Sequence, residues 1–310
     1  MSLLHRELVF VTGKGGVGKT TVALAFAIAA ARDGRRTILC ETAGQARAAS
    51  IFGRTAGPPG AEVPLADRLW TTSIDPHRAL EEWAARQIGS RRLVGVLSHS
   101  HAFGAFVNAA PGARELVTIT KAWELGRADR WDRHARGYDV VVVDGPASGH
   151  GVGMLRTPRT FAEIARVGPI ASQARSVTQL LEDPSRSALL AVAHAAEMPV
   201  SETLELEGRL GRELGRDLDA IVVNGLLPKR FTAADVKAMA QTDGSPGGAV
   251  AAARSQYGQS AVQQGQLRRL RRHARAEVLT LPFVATAALG PDHVRGLATA
   301  LGQRLVAQRT

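Results

Sequence analysis

The stretch VTGKGGVGKTT, residues 11–21, constrains the fold of this chain more than any other. It follows a strand-like apolar run at residues 7–11 and precedes a strongly helical run at residues 22–32. A strand, a glycine-rich turn and a helix in this order are the context that a phosphate-binding loop requires. The stretch therefore predicts nucleotide binding, and the alternative is a plain glycine-rich turn between two elements.

The residue types in this loop predict how it would hold a nucleotide. Gly15 and Gly16 let the backbone curl so that consecutive N–H groups point at an anion, and the following helix adds its positive N-terminal end. Lys19 is expected to reach the β- and γ-phosphates of ATP, and Thr20 is expected to bind Mg²⁺. The predicted nucleotide-binding residues of the loop are Gly13, Lys14, Gly15, Gly16, Val17, Gly18, Lys19, Thr20 and Thr21.

Strand-like and helical patterns alternate along the chain. Strands are predicted at residues 7–11, 36–41, 69–75, 138–144, 188–193, 219–224 and 278–282. Four consecutive valines in YDVVVVD indicate a central strand that is buried on both faces. The alternation predicts a single α/β domain spanning residues 1–310, built on one doubly wound, mostly parallel sheet.

Three segments have sequence patterns of their own. Residues 88–135 show apolar spacing typical of helices, and we interpret them as a helical subdomain inserted within the α/β domain; the alternative is further core helix. Residues 241–259 are polar and Gly-rich, which predicts a mobile loop. Residues 261–277 predict a basic helix carrying LRRLRRHAR, either a solvated face or a contact surface.

Composition narrows the class of protein. The chain has 310 residues and is 45% apolar, as a globular protein is. No apolar run approaches the roughly 18 residues of a membrane span, and the start lacks the features of a signal peptide. Cys40 is the only cysteine, so no intrachain disulfide forms. These features predict a cytoplasmic protein.

The formal net charge is +11, and it comes mostly from arginine. This balance permits contact with nucleic acid or an anionic membrane. However, GC-rich coding also produces an Arg-, Ala- and Gly-rich composition, and no compact nucleic-acid-binding motif accompanies the charge. We therefore do not expect a nucleic-acid partner.

Asp144 ends the valine strand. In phosphate-loop proteins an acid at this place accepts hydrogen bonds from the water molecules bound to magnesium. The predicted Mg²⁺ site is therefore Thr20 together with Asp144, the latter through water. The alternative is an aspartate that caps the strand end.

Two motifs resemble a known ATPase family. Lys14 gives the loop a second lysine near its start, as in the deviant phosphate-loop class of the nitrogenase iron protein and the Min and Par positioning ATPases. The stretch DGPASGHGVGML, residues 144–155, resembles the second switch of the arsenical-pump and tail-anchored-protein-targeting ATPases, which belong to the same class. The residues that match this switch are Asp144, Pro146, Ser148, Gly149, His150 and Leu155. The resemblance spans about residues 7–301. Within that family, the chain is most similar to the actinobacterial branch.

This resemblance implies a dimeric, ATP-dependent switch. Lys14 would cross the interface to the partner's nucleotide, and the partner would be an identical chain or a paralogue. Asn224 would read the adenine edge, while Pro282 and Phe283 would close over the base. The switch residues Pro146, Ser148, Gly149 and His150 would couple loss of the γ-phosphate to movement. The helical subdomain would bind a hydrophobic client or a membrane-protein segment.

The chain departs from the family at the first switch. The family places an acid there that orients the attacking water, but residues 41–45 read ETAGQ. Glu41 stands one position early, and Thr42 and Ala43 stand where the acid is expected. We expect weak hydrolysis, and the candidate catalytic residues are Lys14, Lys19, Glu41 and Asp144.

A single cysteine also excludes a CxxC zinc clamp and a multi-thiolate metalloid site, so we expect neither zinc nor arsenite binding. Three alternative functions remain open at this point. They are a Min/Par-type positioning ATPase acting on membrane or DNA, a small-molecule kinase, and a non-hydrolysing ATP-binding subunit of a heterodimer.

Overall fold

The computed structural model describes residues 2–42, 46–88, 112–165, 167–241 and 247–307. The described chain contains one sheet with the strand order β3-β4-β2-β5-β1-β6-β7-β8. The strands are β1 Leu8–Gly13, β2 Thr37–Glu41, β3 Val63–Ala66, β4 Leu69–Ser73, β5 Val140–Ala147, β6 Ser187–His194, β7 Ala220–Leu226 and β8 Glu277–Pro282. All neighbouring strands run parallel except β3 and β4, which are antiparallel. The predicted doubly wound, mostly parallel α/β sheet is confirmed.

Helices cover both faces of this sheet. They are α1 Lys19–Arg32, α2 Arg47–Ile51, α3 Pro76–Ile88, α4 Ala113–Leu125, α5 Ser148–Ile164, α6 Pro169–Glu182, α7 Glu197–Leu214, α8 Ala233–Gln241, α9 Gly247–His273 and α10 Pro291–Ala307. One layer contains α1 and α10, and the other contains α4 to α7 and α9. Within the described residues, none of the helices is long and apolar enough to cross a membrane.

The valine strand lies at the centre of the sheet, as its sequence predicts. Val140 and Val142 belong to the core under α1, whereas Val141 and Val143 belong to the core on the opposite face. Successive side chains of a strand point to opposite faces, so an unbroken apolar run indicates burial on both sides. This central position brings Asp144, which follows the valines, next to the end of β1.

Helix α1 is buried over most of its length. Its residues 22–31 are all buried, between the sheet on one side and α10 on the other. The helix is rich in Ala, Leu, Ile and Phe and has no polar stripe, which is typical of a helix packed on several sides. The helix that follows the phosphate loop is therefore anchored deep in the core.

The prediction of a loop at residues 241–259 is wrong over residues 247–259, which form the first half of α9. The segment is rich in Gly, Ser and Gln, and this composition hid a sparse helical pattern. Ala253, Ser260 and Leu267 are buried at seven-residue spacing, which places them on one face. The basic helix also ends at His273 rather than at Glu277, because Glu277 begins β8.

Strand β3 was missed because it is short and contains a proline.

The predicted helical subdomain at residues 88–135 is only partly described, since residues 89–111 lie outside the described residues. The described part contains α4, whose residues Ile119, Ala122 and Leu125 are fully buried in the core on the face of the sheet opposite α1. This packing agrees with the alternative of further core helix for α4. The boundaries of the subdomain stay a prediction.

Candidate nucleotide-binding site

The loop between β1 and α1 has a backbone that only glycine accommodates at three positions. Gly13 has φ 144°, and a Cβ atom there would overlap the carbonyl oxygen of Val192. Gly16 and Gly18 have φ 83° and 85°, values that L side chains disfavour. The glycines thus allow the loop to curl at the carboxyl edge of the central strands, where ligands bind in open α/β sheets.

Lys19 is turned back over this loop. Its Nζ atom donates a hydrogen bond to the carbonyl oxygen of Lys14 at 3.2 Å. Burial lowers the pKa of Lys19, while the nearby Asp144 carboxylate opposes this shift. A half-buried ammonium held by one carbonyl is well placed to exchange that weak acceptor for a phosphate oxygen.

Thr20 and Asp144 form the polar centre of the site. The Thr20 hydroxyl donates to Oδ2 of Asp144 at 2.5 Å. The other carboxylate oxygen, Oδ1, is buried and has no hydrogen-bond partner among the described residues. Burial raises the pKa of Asp144, and the Thr20 hydroxyl and the Lys19 charge lower it. A buried, unpaired carboxylate oxygen beside a threonine hydroxyl fits the ligand shell of a hydrated Mg²⁺ ion.

Glu41 lies near this centre but is held by other groups. It ends β2 in register with Asp144. Its carboxylate accepts hydrogen bonds from the backbone N–H groups of Arg47, at 2.8 Å, and Ala48, at 3.3 Å, and from the Thr71 hydroxyl at 3.2 Å. Burial raises the pKa of Glu41 to about 7, although these three donors lower it. The carboxylate therefore anchors the start of α2 to the sheet.

Of the other residues in the predicted first switch, residues 43–45 lie outside the described residues. Thr42 is described, and its hydroxyl donates to the backbone carbonyl oxygen of Asp144 at 2.8 Å. The predicted catalytic role of Glu41 stays a prediction.

In the predicted second switch, β5 continues directly into α5. The strand ends at Ala147 and the helix begins at Ser148. The Thr12 hydroxyl donates to the carbonyl oxygen of Pro146 at 3.1 Å, which ties this segment to β1. Gly149 and His150 lie exposed in the first turn of α5. The predicted switch residues therefore start at the same edge of the sheet as the phosphate loop.

The residues predicted to contact the base lie beside the loop. Asn224, near the end of β7, donates from Nδ2 to the carbonyl oxygen of Val17 at 3.1 Å. Pro282 ends β8 in register with Leu226. The next residue, Phe283, donates its backbone N–H to the Leu226 carbonyl oxygen at 2.9 Å, and the residue is 53% exposed. The structure therefore brings Asn224, Pro282 and Phe283 to one end of the site.

Two charged neighbours of the site were not predicted from the sequence. Glu202 on α7 forms an ion pair with Lys14 at 2.5 Å. Arg47, the first residue of α2, is close enough for its charge to lower the pKa of both Lys19 and Asp144. Glu202 is separated from Lys14 by 188 positions, and no local pattern indicates such a contact.

More than half of the chain matches one protein family. The model of the family described as anion-transporting ATPase matches residues 6–174.

The chain belongs to the anion-transporting ATPase family.

Several curated ATPases are similar to this chain. The putative arsenical pump-driving ATPase of Halobacterium salinarum is 28% identical over 241 residues, covering 72% of this chain and 36% of the relative. ATPase BagA of Mycobacterium tuberculosis is 28% identical over 252 residues, covering 76% of this chain and 69% of the relative. ATPase GET3 of Kluyveromyces lactis is 27% identical over 277 residues, covering 76% of both chains. The chain thus spans about a third of the length of the first relative.

These similarities confirm the resemblance inferred from the loop and residues 144–155. The individual roles of the site residues stay predictions. The expectation that the chain binds neither metalloid nor zinc also stays a prediction. The one thiol, Cys40, is buried, and burial raises its pKa.

Proposed function

We propose that this chain binds Mg²⁺-ATP at Gly13 to Thr21, hydrolyses it slowly, and changes its association with a second subunit according to its nucleotide state. The observation that carries this proposal is the 2.5 Å hydrogen bond from Thr20 to Asp144, next to the half-buried ammonium of Lys19. Lys19 and Thr20 begin α1 and Asp144 lies in β5, and together these groups match the donors and acceptors that a magnesium-bound triphosphate requires.

Each residue of the loop has a separate role in this proposal. The backbone N–H groups of the loop and the N-terminus of α1 would hold the phosphates. Lys19 would leave the Lys14 carbonyl and pair with the β- and γ-phosphates. Thr20 would coordinate Mg²⁺ through its hydroxyl, and Asp144 would accept hydrogen bonds from the water molecules of the ion. When bound, the ion neutralises the phosphate charge that builds up during transfer.

Slow hydrolysis follows from the first switch. Thr42 carries no acid, and its hydroxyl is bound to the Asp144 carbonyl. Glu41 is 2% exposed, and its carboxylate is held by the amides of α2 and by Thr71. No carboxylate of the described first switch is therefore available to align the attacking water and accept its proton. This loss lowers the rate of hydrolysis by about 10²- to 10⁴-fold. Positioning and charge stabilisation by Lys19, Thr20 and Asp144 are preserved.

The second subunit would be an identical chain or a paralogue, and Lys14 would contact its nucleotide. The Lys14 side chain is 31% exposed and is paired with Glu202 of its own chain. Reaching a nucleotide across an interface would require Lys14 to exchange this carboxylate for a phosphate. Both partners are anionic, so the exchange preserves a charge-assisted contact for the lysine.

A hydrophobic client or membrane-protein segment would bind near residues 88–135. Helix α5 supports this part of the proposal, because it runs from the second switch to an exposed apolar end. Ile164 and the nearby Val167 are 74% and 85% exposed. A Cβ atom on Gly112 would lie 3.3 Å from the Thr157 side chain, so the start of α4 adjoins α5. Movement at the switch would reach this surface through a single helix.

A second candidate function is an ATP-binding subunit without turnover, paired with a paralogue that carries a complete first switch. The observation that favours it is the same engagement of Glu41 by backbone amides. In this case the chain would bind ATP and associate with its partner, and the partner alone would hydrolyse.

Equilibrium binding of a fluorescent ATP analogue tests the nucleotide site. We expect binding in Mg²⁺, weaker binding in EDTA, and none with Lys19→Ala. Asp144→Asn should abolish the difference between Mg²⁺ and EDTA, because it removes the carboxylate that holds the ion's water. Lys229→Ala serves as a matched control for removal of an exposed lysine. Unchanged affinity in Lys19→Ala would contradict the proposed site.

A further inference from the structure

A single side chain of α9 holds the backbone that follows Asn224. The Oε1 atom of Gln263 accepts a hydrogen bond from the backbone N–H of Leu227 at 2.8 Å. The Nε2 atom of Gln263 donates to the carbonyl oxygen of Gly225 at 3.3 Å. One amide group therefore satisfies a donor and an acceptor two residues apart, which fixes the path of the chain between them.

This backbone is irregular and depends on outside support. The register between β7 and β8 shifts between Val223 and Leu226. Gly225 has φ 69°, in the left-handed region. Phe283 donates its backbone N–H to the carbonyl oxygen of Leu226 in this segment. The segment is thus tied to α9 through Gln263 and to the chain beyond β8 through Phe283.

The position of the segment makes these bonds relevant to the ligand. Asn224 immediately precedes it and bonds to the carbonyl of Val17 in the phosphate loop. Phe283 bonds directly to it and presents a half-exposed ring. A shift of the segment would therefore move both an amide suited to a base edge and a ring suited to a base face.

We propose that Gln263 is a positioning residue for recognition of the nucleotide base, because it fixes the segment from Gly225 to Leu227 between Asn224 and Phe283. This inference rests on the proposed function, in which Asn224, Pro282 and Phe283 receive adenine. It adds α9 to the elements that build the site. Gln263 would not touch the nucleotide, and its effect would be confined to the base end.

Inorganic tripolyphosphate separates this role from general loosening of the fold, because it fills the phosphate loop but has no base. Displacement of a fluorescent ATP analogue by ATP and by tripolyphosphate measures the two affinities. Gln263→Met preserves the packing volume but removes both hydrogen bonds, each of which contributes about a two- to tenfold factor. We expect ATP affinity to fall about tenfold and tripolyphosphate affinity to change by less than about twofold.

Two further variants sharpen the comparison. Gln263→Glu retains the acceptor for the Leu227 N–H, so its loss of ATP affinity should be smaller than that of Gln263→Met. Gln259→Met is the matched control, because the Gln259 side chain bonds only to Ser255 of the same helix, at 3.4 Å, in the described structure. It should leave both affinities unchanged.

Two results would overturn the inference: equal losses for ATP and tripolyphosphate in Gln263→Met, or no loss for either. Phe283→Ala, measured in parallel, tests the proposed base pocket itself. If Phe283→Ala weakens ATP alone while Gln263→Met has no effect, only the role of Gln263 fails. If neither variant weakens ATP, the base lies elsewhere, and the base-contacting part of the proposed function fails with it.

Discussion

Lys14 and Glu202 join the phosphate loop to helix α7 through an ion pair, with Nζ 2.5 Å from Oε1. Both side chains are about one-third exposed, at 31% and 35%. Such a pair is screened by solvent and breaks at a modest cost of about 0.2–1 kcal/mol. The second lysine of the loop is therefore restrained within its own chain by a contact that a competing anion can replace.

Glu202→Gln should strengthen ATP-dependent association, because it removes this restraint on Lys14. A symmetric dimer breaks two such pairs, so the gain is about 0.4–2 kcal/mol, or about two- to thirtyfold in the dimer dissociation constant. Sedimentation or mass photometry over a protein dilution series, with ATP and Mg²⁺, measures it. Glu205→Gln changes an exposed carboxylate three residues away and should have no effect.

The double variant Lys14→Ala/Glu202→Gln is the decisive comparison. It should associate no better than Lys14→Ala alone, since the benefit acts through the lysine. Weaker association of Glu202→Gln than of the wild type would mean that Glu202 supports the interface rather than restraining Lys14.

Gly13→Ala should destabilise the fold and abolish nucleotide binding. The added Cβ would overlap the backbone oxygen of Val192 in the neighbouring strand, at a φ of 144° that alanine disfavours. We expect a loss of about 2 kcal/mol or more in the free energy of unfolding. Gly15→Ala is the matched control, because a Cβ there meets no atom within 4 Å. Denaturant titration of both variants should separate them, and equal stabilities would contradict the described loop geometry.

Glu41 should make stability fall as pH rises towards neutrality. The pKa of this carboxyl is about 7 in the folded chain, against 4.5 for an ordinary glutamate. Between these values the unfolded chain releases a proton that the folded chain keeps, so the free energy of unfolding falls from about pH 4.5 to 7 and then levels off. The contribution is at most on the order of 3 kcal/mol.

Denaturant unfolding of wild type and Glu41→Gln across that pH range measures this effect. The glutamine cannot ionise, so the variant should gain stability relative to the wild type as pH rises. Parallel pH profiles for the two proteins would show that Glu41 is ionised throughout the range.

The parts of the site that could be predicted are those with a local sequence pattern. The glycine loop, Lys19, Thr20 and Asp144 occur in a fixed order on consecutive or strand-end positions, and the valine run marks the central strand. Glu202 and Gln263 could not be predicted, because their contacts form only when α7 and α9 pack beside the sheet. The first half of α9 was missed because Ala253 is the only buried residue among residues 247–259, so this segment carries almost no apolar helical pattern.

The predicted first switch should limit the rate of ATP hydrolysis. Ala43→Asp should raise the single-turnover rate of ATP hydrolysis, because it supplies an acid at the position where the resemblance predicts one that orients water. The gain should reach about 10²-fold if the carboxylate meets the attacking water. Thr42→Asp should help less, because it removes the hydroxyl that bonds to the Asp144 carbonyl and places a second negative charge near Asp144. Thr42→Val controls for the lost hydrogen bond, and Lys19→Ala controls for contaminating ATPases. If Ala43→Asp does not raise the rate above that of the wild type and Glu41→Gln lowers it, then Glu41 leaves the amides of α2 and orients the water itself.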